Sequence, residues 1–230
     1  MMQYFLILIV ISFKTFAQNN GTVLYTISPI EFQIKENNLQ KDLGEEIIAV
    51  ANSQTFTLEF TGNQAKFYQN TVLTSDDDQR KIGINKIANI RFTCNYIYYL
   101  DKANQIEYYR MDNTAIIKET YVKKDWEITT ETKTIHGYLC YKAVYKYDYK
   151  ARDGQTKTSV ITAWFAPELP YGYGPKNYNN LPGLILELTE KETKFLVSKI
   201  ILSDAEVKIT FLKGKSVTRE EYEKKILSGN

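Results

Sequence analysis

YKAVYKYDYK, residues 141–150, alternates without a break. Tyr141, Ala143, Tyr145, Tyr147 and Tyr149 share one face, and Lys142, Val144, Lys146, Asp148 and Lys150 share the other. That period of two belongs to an extended chain, and a wetter second face marks a long antiparallel strand. Arg152-Asp153-Gly154-Gln155 turns the chain, and 158–166 returns as a more deeply buried partner. Outward from this pair the pattern recurs. Residues 55–60 and 65–69 flank Thr61-Gly62-Asn63 as a hairpin, and 96–100 with 106–111 form another. Strands are also expected at 116–122, 126–133, 184–189, 194–202 and 206–212, and at 22–27, which Pro29 ends or marks as an edge.

Helices are the minority. Leu39, Leu43, Ile47 and Val50 recur at helical spacing, with Asp42, Glu45 and Glu46 near the other face. Near the C-terminus Thr218 and Glu221 make a capping box, Val217 and Tyr222 a staple, and Gly229 a stop. The expected fold is mainly β: a single antiparallel, curved sheet or half-barrel with one or two helices, including a short C-terminal helix. No repeat or linker divides it.

Composition narrows the function. Lys plus Arg number 29 against 27 Asp plus Glu, so there is no basic excess to support a nucleic-acid partner. A hydrophobic fraction of 43% supports a core. Eighteen Tyr and 11 Phe against five Pro lean towards half-buried pleated surfaces. One His and two Cys rule out a zinc site built from four such ligands.

Residues 1–17 read as a signal peptide: an apolar run at 5–11 (FLILIVI), then Thr15 and Ala17 at the −3 and −1 positions of a cleavage before Gln18. The run is far short of the roughly 20 residues a bilayer requires. Residues 18–230 are then one β-rich domain in an extracytoplasmic space (periplasm, envelope or secreted), with no transmembrane segment after cleavage. In such an oxidising compartment Cys94 and Cys140 are a candidate disulfide, contributing up to roughly 4 kcal/mol. The alternative is two buried thiols on strands that never meet.

Catalytic and cofactor signatures are absent. Gly214-Lys215-Ser216 lacks the Gly a phosphate loop needs at position 209, which is Ile. Gly172 and Gly174 are followed by Pro175 and Asn177, which breaks a dinucleotide fingerprint. Asp76, Asp77 and Asp78 are consecutive, so they cannot easily converge on one ion, and His136 sits beside Gly137 at a turn. No G-x-S-x-G or S-x-x-K occurs. A carboxylate pair stays open, because its spacing is spatial.

PELPYGYGP, residues 167–175, concentrates Pro and Gly in a Pro-poor chain, and LPGLIL follows at 181–186. The Pro-Gly step predicts a type II turn with Gly183 at positive φ. The two loops are expected to pack together with Trp164 beneath them. This segment resembles the GLPGLI family, exported proteins of uncharacterised activity in Bacteroidetes-type bacteria. Supporting matches are Trp126-Glu127-Ile128, Glu131, Ile135, Gly137-Tyr138, Cys140, Lys142-Ala143, Ala163-Trp164-Phe165, Pro167-Glu168-Leu169-Pro170, Gly172, Gly174-Pro175 and Leu181-Pro182-Gly183. They span 126–188, with Asn180 standing where the family name has its first Gly. The resemblance implies an exported β-rich protein and no catalytic residue or cofactor. At fold level alone, the strand order is also similar to periplasmic lipoprotein carriers, whose curved sheet cups apolar ligands.

The expected function is therefore an exported, non-enzymatic envelope protein that binds an apolar ligand, peptide or partner protein on a curved sheet. Lipid, peptide and envelope-protein partners all fit. Tyr141, Tyr145 and Tyr147, with Trp126, are the expected groove, covered by the 39–50 helix or open to a ligand. The motif residues Gly137, Tyr138, Trp164, Pro167, Glu168, Pro170, Gly172, Pro175, Leu181, Pro182 and Gly183 are architectural first and a rim second. A hydrolase with a spatially assembled carboxylate pair and a structural accessory of an outer-membrane complex are the alternatives.

Overall fold

A computed structural model describes residues 19–29, 38–70, 79–93, 96–111, 115–151, 154–205, 207–212 and 214–227. Strand β1 (Asn20–Pro29) leads to helix α1 (Asn38–Ser53), and the hairpin β2 (Thr55–Thr61) and β3 (Gln64–Gln69) follows. Helix α2 (Gln79–Ala88) runs into one π-helical turn (Asn89–Thr93). Then come β4 (Tyr96–Asp101), β5 (Ile106–Met111), β6 (Ala115–Thr120), β7 (Glu127–Ile135), β8 (Tyr138–Lys150) and β9 (Thr156–Ala166). Strands β10 (Leu184–Glu190), β11 (Thr193–Ser203) and β12 (Ser216–Val217) precede helix α3 (Arg219–Leu227).

The strands form one sheet in the order β12-β6-β5-β4-β3-β2-β1-β11-β10-β9-β8-β7, antiparallel except for the short β12–β6 pair. Connectivity forces this sheet to curl. Strands β6 and β7 lie ten places apart in that order, which in a flat sheet would be roughly 48 Å. Only residues 121–126 join them, and so short a stretch reaches about 25 Å at most. The two ends must therefore approach, and the sheet is an open half-barrel with a concave face.

Register shows which residues line it. Directly opposed residues share a face, so Val23, Leu58, Phe67, Tyr98, Tyr109 and Ile117 form one row across six strands. Ile27, Phe195, Leu188, Ala163 and Ala143 continue that face through the other half. Tyr25, Phe56, Phe60, Phe165 and Phe195 are fully buried there, each worth roughly 1.5–3 kcal/mol. The Tyr25 hydroxyl donates to the Ile185 carbonyl at 2.7 Å.

Several expectations change. Three helices are present among the described residues, not one or two. Strand β1 is central, between β2 and β11, so Pro29 ends it and does not mark an edge. Residues 207–212 form no strand; Phe211 instead packs on Tyr99 and Tyr108 at 5.7 and 6.0 Å. The α3 capping box forms as expected: Thr218 N–H donates to Glu221 Oε2 at 2.8 Å, and Glu221 N–H to Thr218 Oγ1 at 3.2 Å. Helix α1 does not cover the tyrosine face. Only Gln54 separates it from β2, so it is held at the β1–β2 end and packs on β1 and α2, four strands from β8.

Residues 1–17, Cys94 and Asp76 to Asp78 lie outside the described residues. No helix among the described residues is long and apolar enough to cross a membrane.

Candidate functional site

The curl brings β4–β6 opposite β8–β11, and a cavity of about 860 Å³ lies between them. That is the size range of small-molecule sites. One wall is Tyr96, Tyr98 and Tyr109, with ring centroids 5.9–6.3 Å apart. The alternation read in β8 supplies the other: Tyr145 and Tyr147 stack at 5.7 Å. Trp126 backs this wall, 5.6 Å from Tyr145 and 6.2 Å from Tyr178.

A strap closes the seam between the halves. Within residues 121–126, the Tyr121 hydroxyl donates to Asn179 Oδ1 and Trp126 Nε1–H donates to the Asn179 carbonyl, each at 2.9 Å. Asn179 in turn donates from Nδ2 to the Asn177 carbonyl at 2.9 Å and is buried.

Charge around the cavity is lopsided. Arg91, Lys123, Lys124, Lys176, Lys191 and Arg219 face three carboxylates, Glu107, Glu119 and Glu190. Two of the carboxylates are already engaged. Arg219 Nε donates to Glu119 at 3.1 Å, and Glu190 accepts from Lys176 and, at 2.9 Å, from the Tyr178 hydroxyl. Burial alone would raise the Glu190 carboxyl, but the Lys176 ammonium and the Tyr178 hydroxyl outweigh it and hold it low. Burial raises Glu107, against the pull of Lys124, and burial lowers Lys124, against the pull of Glu107. Glu107 Oε1 and the Tyr109 hydroxyl are buried without a hydrogen-bond partner among the described residues. Lys123 and Lys191 form no ion pair among the described residues. An excess of cations between aromatic walls favours an anion with an apolar body.

Of the residues singled out from sequence, Tyr145 and Tyr147 line this cavity and Trp126 supports it. Tyr141 instead packs on Phe165 at 6.2 Å. Trp164 lies on the opposite face, where Lys133 Nζ covers its ring at 4.3 Å and also pairs with Glu187 at 2.7 Å. Gly137 is at an exposed hairpin tip with φ 82, following His136 at φ 50, and Tyr138 is half-buried beside it.

The two motif loops do pack together: Leu184 N–H donates to Leu169 O at 2.8 Å, Asn180 N–H to Gly172 O at 3.0 Å, and Ile185 N–H to Tyr173 O at 3.0 Å. Pro167, Glu168, Pro170 and Pro182 are exposed, Gly172 is half-buried, and Pro175, Leu181 and Gly183 are buried. Gly183 is not at positive φ. Space requires it: a Cβ there would lie 2.2 Å from the Ala166 carbonyl oxygen. The left-handed residue of this turn is Asn180, at φ 75, a conformation Asn tolerates better than most side chains. Cys140 is a buried free thiol whose Sγ–H donates to the Tyr138 carbonyl at 3.5 Å.

Sequence reading missed Tyr96, Tyr98, Tyr109, Glu107, Lys124 and Tyr178. Their only signal was alternation within the β4–β5 hairpin and one Tyr beside the motif. Among the described residues, no three His, Cys, Asp or Glu side chains cluster as a metal ligand set.

A family model described as a protein of unknown function (Porph_ging) matches residues 149–187. That stretch carries both motif loops, the Asn179 latch and part of the cavity wall. No curated protein matches the chain. Among solved structures, PNGF-II in space group C2 is similar with a TM-score of 0.50 and 15% identity, over 90% of this chain and 32% of that one. PNGF-II in space group P21 gives 0.52 and 14%, over 91% and 33%. The chain thus spans about a third of the length of PNGF-II, and at such identity the likeness is one of fold.

Proposed function

We propose that this is an exported envelope protein of the GLPGLI type that holds an anionic organic ligand in its half-barrel without transforming it. The observation that carries the reading is the pairing of two facing tyrosine walls with a surplus of cations around one cavity of about 860 Å³. Tyr offers an apolar body with a polar tip, and so suits a surface that is wet when vacant and covered when filled. The cations refine the ligand from apolar to anionic.

Trp126 provides the test, because it touches Tyr145 and Tyr178 in the cavity wall. Residues 18–230 titrated with 8-anilinonaphthalene-1-sulfonate should show saturable, salt-sensitive change in Trp126 fluorescence. Trp164, on the opposite face, stays constant. Tyr145→Ser with Tyr147→Ser should weaken binding tenfold or more. Binding unchanged in that variant, or no saturable binding by the wild type, refutes the reading.

One observation favours a second reading. Glu107 and Glu119 are opposed in the β5–β6 register and both line the cavity, which is a spatially assembled carboxylate pair. Hydrolysis of p-nitrophenyl esters or glycosides by the wild type, abolished by Glu107→Gln, would replace binding with hydrolysis.

A further inference from the structure

The basic cavity adjoins a second concavity of different chemistry. A groove of about 660 Å³ runs between the end of α2 with its π-helical turn and the outer part of β8–β9. Its apolar lining is unusually wet: Ile90 is 76% exposed, Val160 51%, Ile87 45% and Tyr149 40%. Ile90, Arg91 and Lys191 line both spaces, so the groove adjoins the cavity. Arg91 is paired with Glu192 at 3.0 Å, whereas Lys191 forms no ion pair among the described residues and sits at the junction.

We infer that these adjoining spaces take a single amphipathic anion: a free acyl carboxylate whose head lies among the cavity lysines and whose chain runs along Ile87, Ile90 and Tyr149. Charge complementarity selects this occupant. An uncharged apolar chain would make no use of the cation surplus, and a compact inorganic anion would leave Ile87, Ile90 and Tyr149 in water. The inference rests on the binding reading above and names the ligand class for that same cavity.

The test is displacement of 11-(dansylamino)undecanoate from residues 18–230 by octanoate, decanoate and dodecanoate. Affinity should rise roughly fourfold per methylene, the value expected when each is buried, and acetate should not compete. Ile87→Asp and Tyr149→Asp, at exposed positions that line the groove and not the cavity, should each weaken dodecanoate tenfold or more while leaving 8-anilinonaphthalene-1-sulfonate within twofold. Lys191→Glu should weaken dodecanoate but not dodecyl maltoside. A flat chain-length series, or both Asp variants binding dodecanoate as the wild type does, overturns the inference and leaves the anion cavity standing. Co-sedimentation with phosphatidylglycerol vesicles without dodecanoate binding would place a membrane surface on the groove and also overturn it. Failure of both the sulfonate and the carboxylate probes would remove the cavity reading itself.

Discussion

Replacing Gly183 by Ala asks the structure for room it does not have. A Cβ at that position would lie 2.2 Å from the Ala166 carbonyl oxygen, 2.6 Å from its carbon and 2.9 Å from the Pro167 nitrogen. All three are backbone atoms, so no rotamer change relieves the contact, and the strand end must retreat by on the order of 1 Å in a close-packed interior. The retreat would strain the first β9–β10 pair, Leu184 with Ala166, and the Leu184 to Leu169 hydrogen bond at 2.8 Å. Overpacking of this kind costs about 1–3 kcal/mol, and one or two weakened hydrogen bonds add about 0.5–1.5 kcal/mol each. The sum is roughly 1.5–6 kcal/mol, or ~3–24 °C in Tm for a domain of this size.

Gly62→Ala supplies the comparison. That residue has φ 38 and nothing within 4 Å of its Cβ position, so it should lose only the ~1–2 kcal/mol of a left-handed side chain. Thermal unfolding by circular dichroism reads both variants. A Gly183→Ala protein no less stable than Gly62→Ala would refute the argument from crowding.

Burial pushes the Cys140 thiol up to about 11, so in a Cys94→Ala protein its alkylation by iodoacetamide should be slow at pH 8 and rise about tenfold per pH unit towards 10; rapid labelling at pH 8 contradicts this. Burial, and then Lys123, lowers Lys102 to about 8, so the unfolded chain binds more protons between that value and 10.5. Stability should therefore rise with pH across that window, and Lys102→Met should flatten the rise in denaturant titrations. Lys176→Ala leaves the Glu190 carboxylate without its ammonium, costing about 3 kcal/mol at pH 7. Because the folded Glu190 carboxyl is held low, that stability is present above the unfolded value of 4.5 and is lost as pH falls through the folded one, so wild type and variant should converge in acid.

The long alternating segment was legible because both of its faces declare themselves, and β8 and β9 form where the period of two predicts them. Helix α2 was not. Its Ile82 and Ile87 are exposed while Ile84 and Ala88 are buried, so no single apolar stripe marks it. Residues 207–212 carry a strand-like pattern, yet Phe211 spends it on Tyr99 and Tyr108 without joining the sheet. Half of the cavity could be read for the same reason as β8: Tyr145 and Tyr147 alternate in plain view. Tyr96, Tyr98 and Tyr109 alternate too, but a local period cannot say which strands will face each other across a curl.

What sets the curl is the short 121–126 strap, and its latch explains why the matched family segment and the cavity overlap only in part. Asn179 receives both Tyr121 and Trp126, one from its side chain and one from its carbonyl. It lies one residue before Asn180, whose left-handed φ turns the chain into Leu181-Pro182-Gly183. Gly172 and Gly174 pack beneath that turn; a Cβ on Gly174 would lie 2.6 Å from Ile185 Cδ1. The motif therefore sits where the two halves of the half-barrel are fastened together, and its glycines serve close approach. The tyrosines and lysines that give the cavity its chemistry come mostly from strands outside residues 149–187. A fastened frame with a wall supplied from elsewhere can keep its turn while that wall changes, so the motif serves architecture, and the proposed binding would take its specificity from Tyr96, Tyr98, Tyr109, Lys123 and Lys191.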